Sequence, residues 1–122
     1  MKEKREQARL DMNLRVDWRK ATETSNIILK HPDVTKNISA GGLCLIMDEK
    51  IKIGDGLQMR MELPSKKTID VRGRAMWISE YEINRMEDKK MYYTGIEFTG
   101  IQDEYKEELN KLVFKHLLSK PE

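Results

Sequence analysis

Two arginines four residues apart, Arg5 and Arg9 in "KREQAR", precede the first apolar run of this 122-residue chain. A guanidinium is a planar fork of donors that fits a phosphate and equally the O6/N7 edge of guanine. A pair of them can therefore clamp a guanine nucleotide where lysine offers only a point charge. In a helix the two side chains would lie about 6 Å apart; in an extended strand they would lie about 13 Å apart, still on one face. Spacing alone leaves that choice open, and a solvated charged tail stays open beside it. Arg15 and Arg19 repeat the spacing, but they alternate with Leu14, Val16 and Trp18 as the solvent face of a strand does.

A second stretch with chemistry in it is "NISAGG", residues 37–42. As structure it is an ordinary turn between two strands. As a site it is more demanding: Asn37 can hydrogen-bond a base edge through its amide and Ser39 can donate to a phosphate oxygen. Gly42, beside Gly41, lets backbone approach a ligand where a Cβ would collide. Elsewhere the sequence points away from chemistry. His31 and His116 have no cysteine or acidic cluster at metal-ligand spacing, so no metal is expected. Cys44, between Leu43 and Leu45, reads as packing, and Trp18 and Trp77 as core aromatics, with one of them bordering a bound nucleotide as the lesser alternative. "GDG" at residues 54–56 lacks the Gly-Lys-Ser/Thr ending of a phosphate loop. No nucleophile stands beside a base, so an enzyme is not expected.

These residues need a scaffold, and period-two alternation supplies it. In "LQMRMEL" Leu57, Met59, Met61 and Leu63 share one face; in "IDVRGRAMWI" Ile69, Val71, Gly73, Ala75 and Trp77 share one, with Asp70, Arg72 and Arg74 opposite. Arg72 and Arg74 read as exposed salt-bridge partners. "NLRVDWRK", the region ending in "VTKNIS", "LCLIM" and "MYYTGIEF" complete a set of six strands. "GDG" and "PSKK" separate strands in the manner of hairpin connections, so the sheet is expected to be mostly antiparallel. Residues 21–33 show no clear pattern, and the charged residues 80–90 read as a loop. After Gly100 the period becomes helical: Tyr105, Leu109, Leu112, Val113 and Leu117 form a stripe, with Asp103 and Glu104 in the first turn. That helix is expected to cap one end of a closed or nearly closed sheet.

Composition bounds the rest. With 39% apolar and 36% charged residues the chain reads as one soluble domain with its own core. A net charge of +2 is too small for a general nucleic-acid binder, but residues 1–20 carry +3 and the remainder −1. An anion would therefore be drawn to the N-terminal segment. A single cysteine, a charged N-terminus and the lack of any long apolar run predict a cytoplasmic protein that does not enter a membrane.

The order "KREQAR", then "NISAGG" 28 residues after Arg9, then "GLCL", "GDGLQMRMELP", "VRGRAMW" and "YYTGIEF" before a helix resembles the PilZ domain across residues 4–115. That family's signature is Arg-x-x-x-Arg ahead of the first strand and Asp/Asn-x-Ser-x-x-Gly at the end of the second. The resemblance implies an all-β fold with a C-terminal helix, a six-stranded antiparallel β-barrel that binds cyclic di-GMP and needs no other cofactor. Arg5, Arg9, Asn37, Ser39 and Gly42 would hold the nucleotide, with Lys4, Gly41 and Arg74 as secondary contacts. Lys4 stands where many members have a further arginine, which leaves one nucleotide or a stacked pair open. The expected organisation is a flexible arm over residues 1–12, a barrel over 13–100 and a packed amphipathic helix over 101–119. Function would be that of a stand-alone receptor, which changes shape as the arm closes and signals to a downstream protein partner. Two alternatives are a small β-barrel for single-stranded nucleic acid and a PilZ-like interaction domain without a nucleotide.

Overall fold

A computed structural model of the protein describes residues 9–22, 31–84 and 89–119. It contains β1 (Leu10–Asp11), β2 (Arg15–Lys20), β3 (His31–Ile38), β4 (Gly42–Met47), β5 (Gly56–Glu62), β6 (Thr68–Asn84), β7 (Lys89–Gly100) and α1 (Asp103–Ser119). Every pairing is antiparallel, and β2-β5-β6-β7-β4-β3 closes on itself into a six-stranded barrel, with β1 added on β3. Closure removes the exposed edges that an open sheet would present.

The alternation of the sequence becomes the inside and outside of this barrel. Leu57, Met59 and Met61 of β5 and Ile69, Val71 and Ala75 of β6 are buried, while Arg60, Glu62, Asp70, Arg72 and Arg74 face solvent. Trp18 is fully buried and its indole Nε1 donates to Asp33 Oδ2 at 2.8 Å, so the large aromatic enters the core with its one polar atom satisfied. Arg60 and Asp70 pair at 2.8 Å across the outer face of β5 and β6. Helix α1 adds Leu109 to the core, with Tyr105 and Leu112 packed against it. Lys67, on the turn before β6, pairs with Glu108 at 3.3 Å and lies over the Tyr105 ring.

The structure corrects three expectations. Trp77 is not a core residue: it is 41% exposed. Ala75 pairs with Ile96 and Trp77 with Gly95, so one extra residue on β6 bulges out and turns Trp77 to the outer face. Of residues 80–90, expected as a loop, 80–84 and 89–90 are strand, because β6 runs on to Asn84 and β7 begins at Lys89, while 85–88 lie outside the described residues. Lys90 pairs with Glu80 at 3.3 Å, and the rings of Tyr81 and Tyr93 stack at 4.3 Å across the two strands, so the charges and aromatics there are cross-strand pairs. Third, the two turns differ in kind. Residues 64–67 form a tight hairpin between neighbours, with Lys66 at φ 75°. The 54–56 turn instead enters β5 after the chain has crossed from β4, which is not its neighbour. Gly54 takes φ 97° there, a left-handed conformation suited to glycine, and its N–H donates to Ala75 O at 2.8 Å. Of the patternless stretch, residues 31–33 belong to β3, whereas 23–30 lie outside the described residues.

Among the described residues no helix is long and apolar enough to cross a membrane, and no group of three or more His, Cys, Asp or Glu side chains could hold a metal ion.

Candidate functional site

Strands β3 and β4 meet at the corner made by "NISAGG". The ladder pairs Asn37 with Cys44 and Ile38 with Leu43, and the Ser39 N–H donates to Gly42 O at 2.8 Å. Ser39 is largely buried; its hydroxyl accepts from the Gly41 N–H at 3.2 Å and reaches Gly42 O at a long 3.3 Å. On the far side of the corner the Phe98 N–H donates to Gly41 O at 2.9 Å, which ties the turn to β7. A Cβ on Gly42 would collide with the backbone carbonyl of Ile96. Glycine at 42 therefore serves first the close approach of two strands, a reason beyond the ligand contact expected from its type.

Arg9 reaches this corner by a short strand. Leu10 pairs with Ile38 and Asp11 with Asn37, which sets Arg9 beside the start of the turn. Thr35, fully buried, locks the approach: its hydroxyl donates to Met12 O at 2.6 Å and accepts the Leu14 N–H at 2.8 Å. Asn13 Nδ2 adds a bond to Thr35 O at 2.7 Å. As a result Arg9, Asn37, Ser39, Gly41 and Gly42 line one open pocket of about 220 Å³. Residues that sequence reasoning selected from two separate stretches thus share a single concavity. Arg5 and Lys4 lie outside the described residues. Arg74 does not line the pocket; its Nη2 lies 3.3 Å from Glu97 Oε1, and Glu97 does.

Other lining residues, among them Trp77, Glu97 and Cys44, were not among the predicted site residues, although one tryptophan bordering the nucleotide was the lesser alternative. Trp77 lies so close over Gly95 that a Cβ there would collide with the indole ring. The bulge that places it is invisible in the regular alternation of "RGRAMWI"; the glycine in "YYTGIEF" was the available sign that something lies flat against β7. Glu97 carries the other surprise, a carboxylate beside an arginine and a serine. Cys44 is buried behind the pocket, and burial pushes its thiol pKa up, against the opposing pull of the Lys36 and Arg9 charges and of a backbone bond to Thr94. A thiol held protonated fits packing, as the sequence suggested.

The family model of the PilZ domain matches residues 3–115, and the chain belongs to that family. Its fold is shared by solved structures of low sequence identity. The Bacillus subtilis inhibitor of motility MotI/DgrA superposes with a TM-score of 0.76 at 19% identity, covering 98% of this chain and 54% of that one. MrkH of K. pneumonia in complex with c-di-GMP gives 0.73 at 14% identity over 95% of this chain and 52% of that one. The PilZ domain of YcgR from Escherichia coli, with c-di-GMP, gives 0.68 at 11% identity over 93% and 91%. The chain therefore spans about half the length of MotI/DgrA and MrkH. No curated protein sequence matches it significantly.

Proposed function

We propose that this PilZ domain is a receptor for cyclic di-GMP that passes the signal to a protein partner. The observation that carries the reading is convergence: of the five signature positions, Arg9, Asn37, Ser39 and Gly42 line one pocket although they come from two sides of the barrel corner. Two PilZ-fold neighbours solved with c-di-GMP support the choice of ligand.

In this reading Arg9 and Arg5 grip phosphate and the guanine O6/N7 edge with charge-assisted bonds, each worth about 1.5–3 kcal/mol. Arg9 adjoins a strand that is already paired, so it has little backbone freedom left to lose on binding. The Ser39 hydroxyl exchanges its long bond to Gly42 O for a phosphate oxygen, and the Asn37 amide meets the base. The outward, partly exposed indole of Trp77 gives a base a flat apolar platform, an interaction worth about 1–3 kcal/mol. Closure of the N-terminal arm over the nucleotide would then alter the surface that a partner meets. The domain acts by binding rather than by catalysis, in the cytoplasm, with Lys4 as a further cation for the ligand.

Titration calorimetry with cyclic di-GMP tests this. The wild-type chain is expected to bind, and Arg9→Ala and Ser39→Ala to lose binding by tenfold or more. Absence of heat with wild-type protein at micromolar concentration would leave an interaction domain without a nucleotide. A gel shift on single-stranded RNA or DNA, expected negative, addresses the remaining alternative.

A further inference from the structure

Glu97 sits in the pocket as an anomaly. A ligand bearing two phosphodiesters is anionic, and a carboxylate lining its site repels it unless that carboxylate faces donors. The strand geometry shows where those donors would be. Glu97 pairs with Gly42 on one side and with Arg74 on the other, so its side chain stands on the outer face of β7 between the corner and β6. Gly95, two residues earlier, shares that outer face and lies under the Trp77 indole. Positions two apart on a strand are separated by about 7 Å. A purine lying flat on Trp77 thus presents an edge to Glu97. Arg74, 3.3 Å away, holds the carboxylate in place and offsets its charge toward the phosphates.

We infer that Glu97 selects guanine over adenine, its two carboxylate oxygens accepting the N1–H and the exocyclic amine of one base. The inference rests on the cyclic dinucleotide reading above and deepens it. The donor inventory dictates the direction of selectivity. Guanine offers two adjacent donors on its Watson–Crick edge, which a carboxylate takes together; adenine offers one donor beside the lone pair of N1, which faces a carboxylate oxygen across an unfavourable contact. Arg9 reads a different edge, O6 and N7, so the two residues would address the same base without competing. Arg74 is a positioning residue in this scheme, acting through Glu97.

The test measures calorimetric affinities of the full chain for cyclic di-GMP and cyclic di-AMP in wild type, Glu97→Gln, Glu97→Ala and Arg74→Gln. Glu97 is about half exposed, so these variants are expected to fold, which circular dichroism checks. Expected is a loss of about ten- to hundredfold for cyclic di-GMP in Glu97→Gln and Glu97→Ala, following the worth of a bidentate contact. Glutamine, which both donates and accepts, is expected to hold or raise the affinity for cyclic di-AMP, so that the ratio between the ligands collapses. Arg74→Gln is expected to give a smaller loss in the same direction. Cyclic di-GMP bound as tightly or more tightly by Glu97→Ala, or an unchanged ratio in Glu97→Gln, overturns the role of Glu97 while the receptor reading stands. Failure of wild type to bind cyclic di-GMP overturns both.

Discussion

Trp77 and Gly95 form a unit: the indole occupies the volume that any side chain at 95 would take. Gly95→Val and Trp77→Ala are therefore both expected to weaken cyclic di-GMP binding about tenfold, the first by pushing the ring off β7, while leaving the barrel folded. The pair of tryptophans makes this measurable in one cuvette. Trp18 is fully buried and Trp77 is not, so a ligand-dependent change in emission is expected in wild type and not in Trp77→Phe. Gly42 behaves differently. Its replacement by alanine meets the Ile96 carbonyl, a backbone atom that cannot swing aside, and overpacking of this kind costs roughly 1–3 kcal/mol. Gly42→Ala is thus expected to lower the midpoint of urea unfolding as well as binding, and only the comparison with Gly95→Val separates the two effects.

Strand β1 is two residues long, yet it determines where the arginine arrives. Its neighbour segment is held by the Thr35 hydroxyl, which bonds both Met12 and Leu14. Valine at 35 keeps the shape and removes both bonds, leaving the Leu14 N–H buried without its partner. Such a loss costs about 1–3 kcal/mol. Thr35→Val is expected to lower stability by that amount in urea and to weaken cyclic di-GMP binding as Arg9 loses its fixed approach. Thr35→Ser, which retains the hydroxyl, is expected to restore most of both. Binding unchanged in Thr35→Val would mean that Arg9 needs no strand to position it.

For the molecule as a whole, two readouts follow from linkage. A ligand at a hundredfold excess over its Kd stabilises the native state by about 2.7 kcal/mol, which for a domain near this size raises Tm by roughly ten degrees. That shift is expected with cyclic di-GMP in wild type and not in Arg9→Ala. The second readout is pH. Burial raises the Cys44 thiol pKa in the folded barrel above its unfolded value. Above the ordinary thiol pKa the unfolded chain has released that proton while the native state keeps it, so the contribution of Cys44 is full below that range. It is lost as pH rises toward the folded pKa. Tyr81, raised by burial and by its neighbour Tyr93, acts in the same direction at higher pH. Thermal unfolding is expected to show stability falling through mildly alkaline pH, with a shallower fall in Cys44→Ala.

Local rules carried the barrel's strands, the terminal helix and the residue types of the site, because inside–outside alternation and helical spacing depend only on neighbours along the chain. Leu57, Met59 and Met61 went inward as their period required, and Arg9, Asn37, Ser39 and Gly42 could be named from their motifs. What the sequence could not contain was anything decided by a partner strand. The bulge opposite Gly95 reversed the face of Trp77; the pairing of Leu10 with Ile38 delivered Arg9 to a corner 28 residues away; the pairing of Arg74 with Glu97 set a carboxylate into the pocket. The charged stretch expected as a loop proved to be strand over 80–84 and 89–90, where Glu80 meets Lys90 across β6 and β7. Register between strands is a contest among distant segments for the same hydrogen bonds and the same core volume, and it exists only once the barrel has closed.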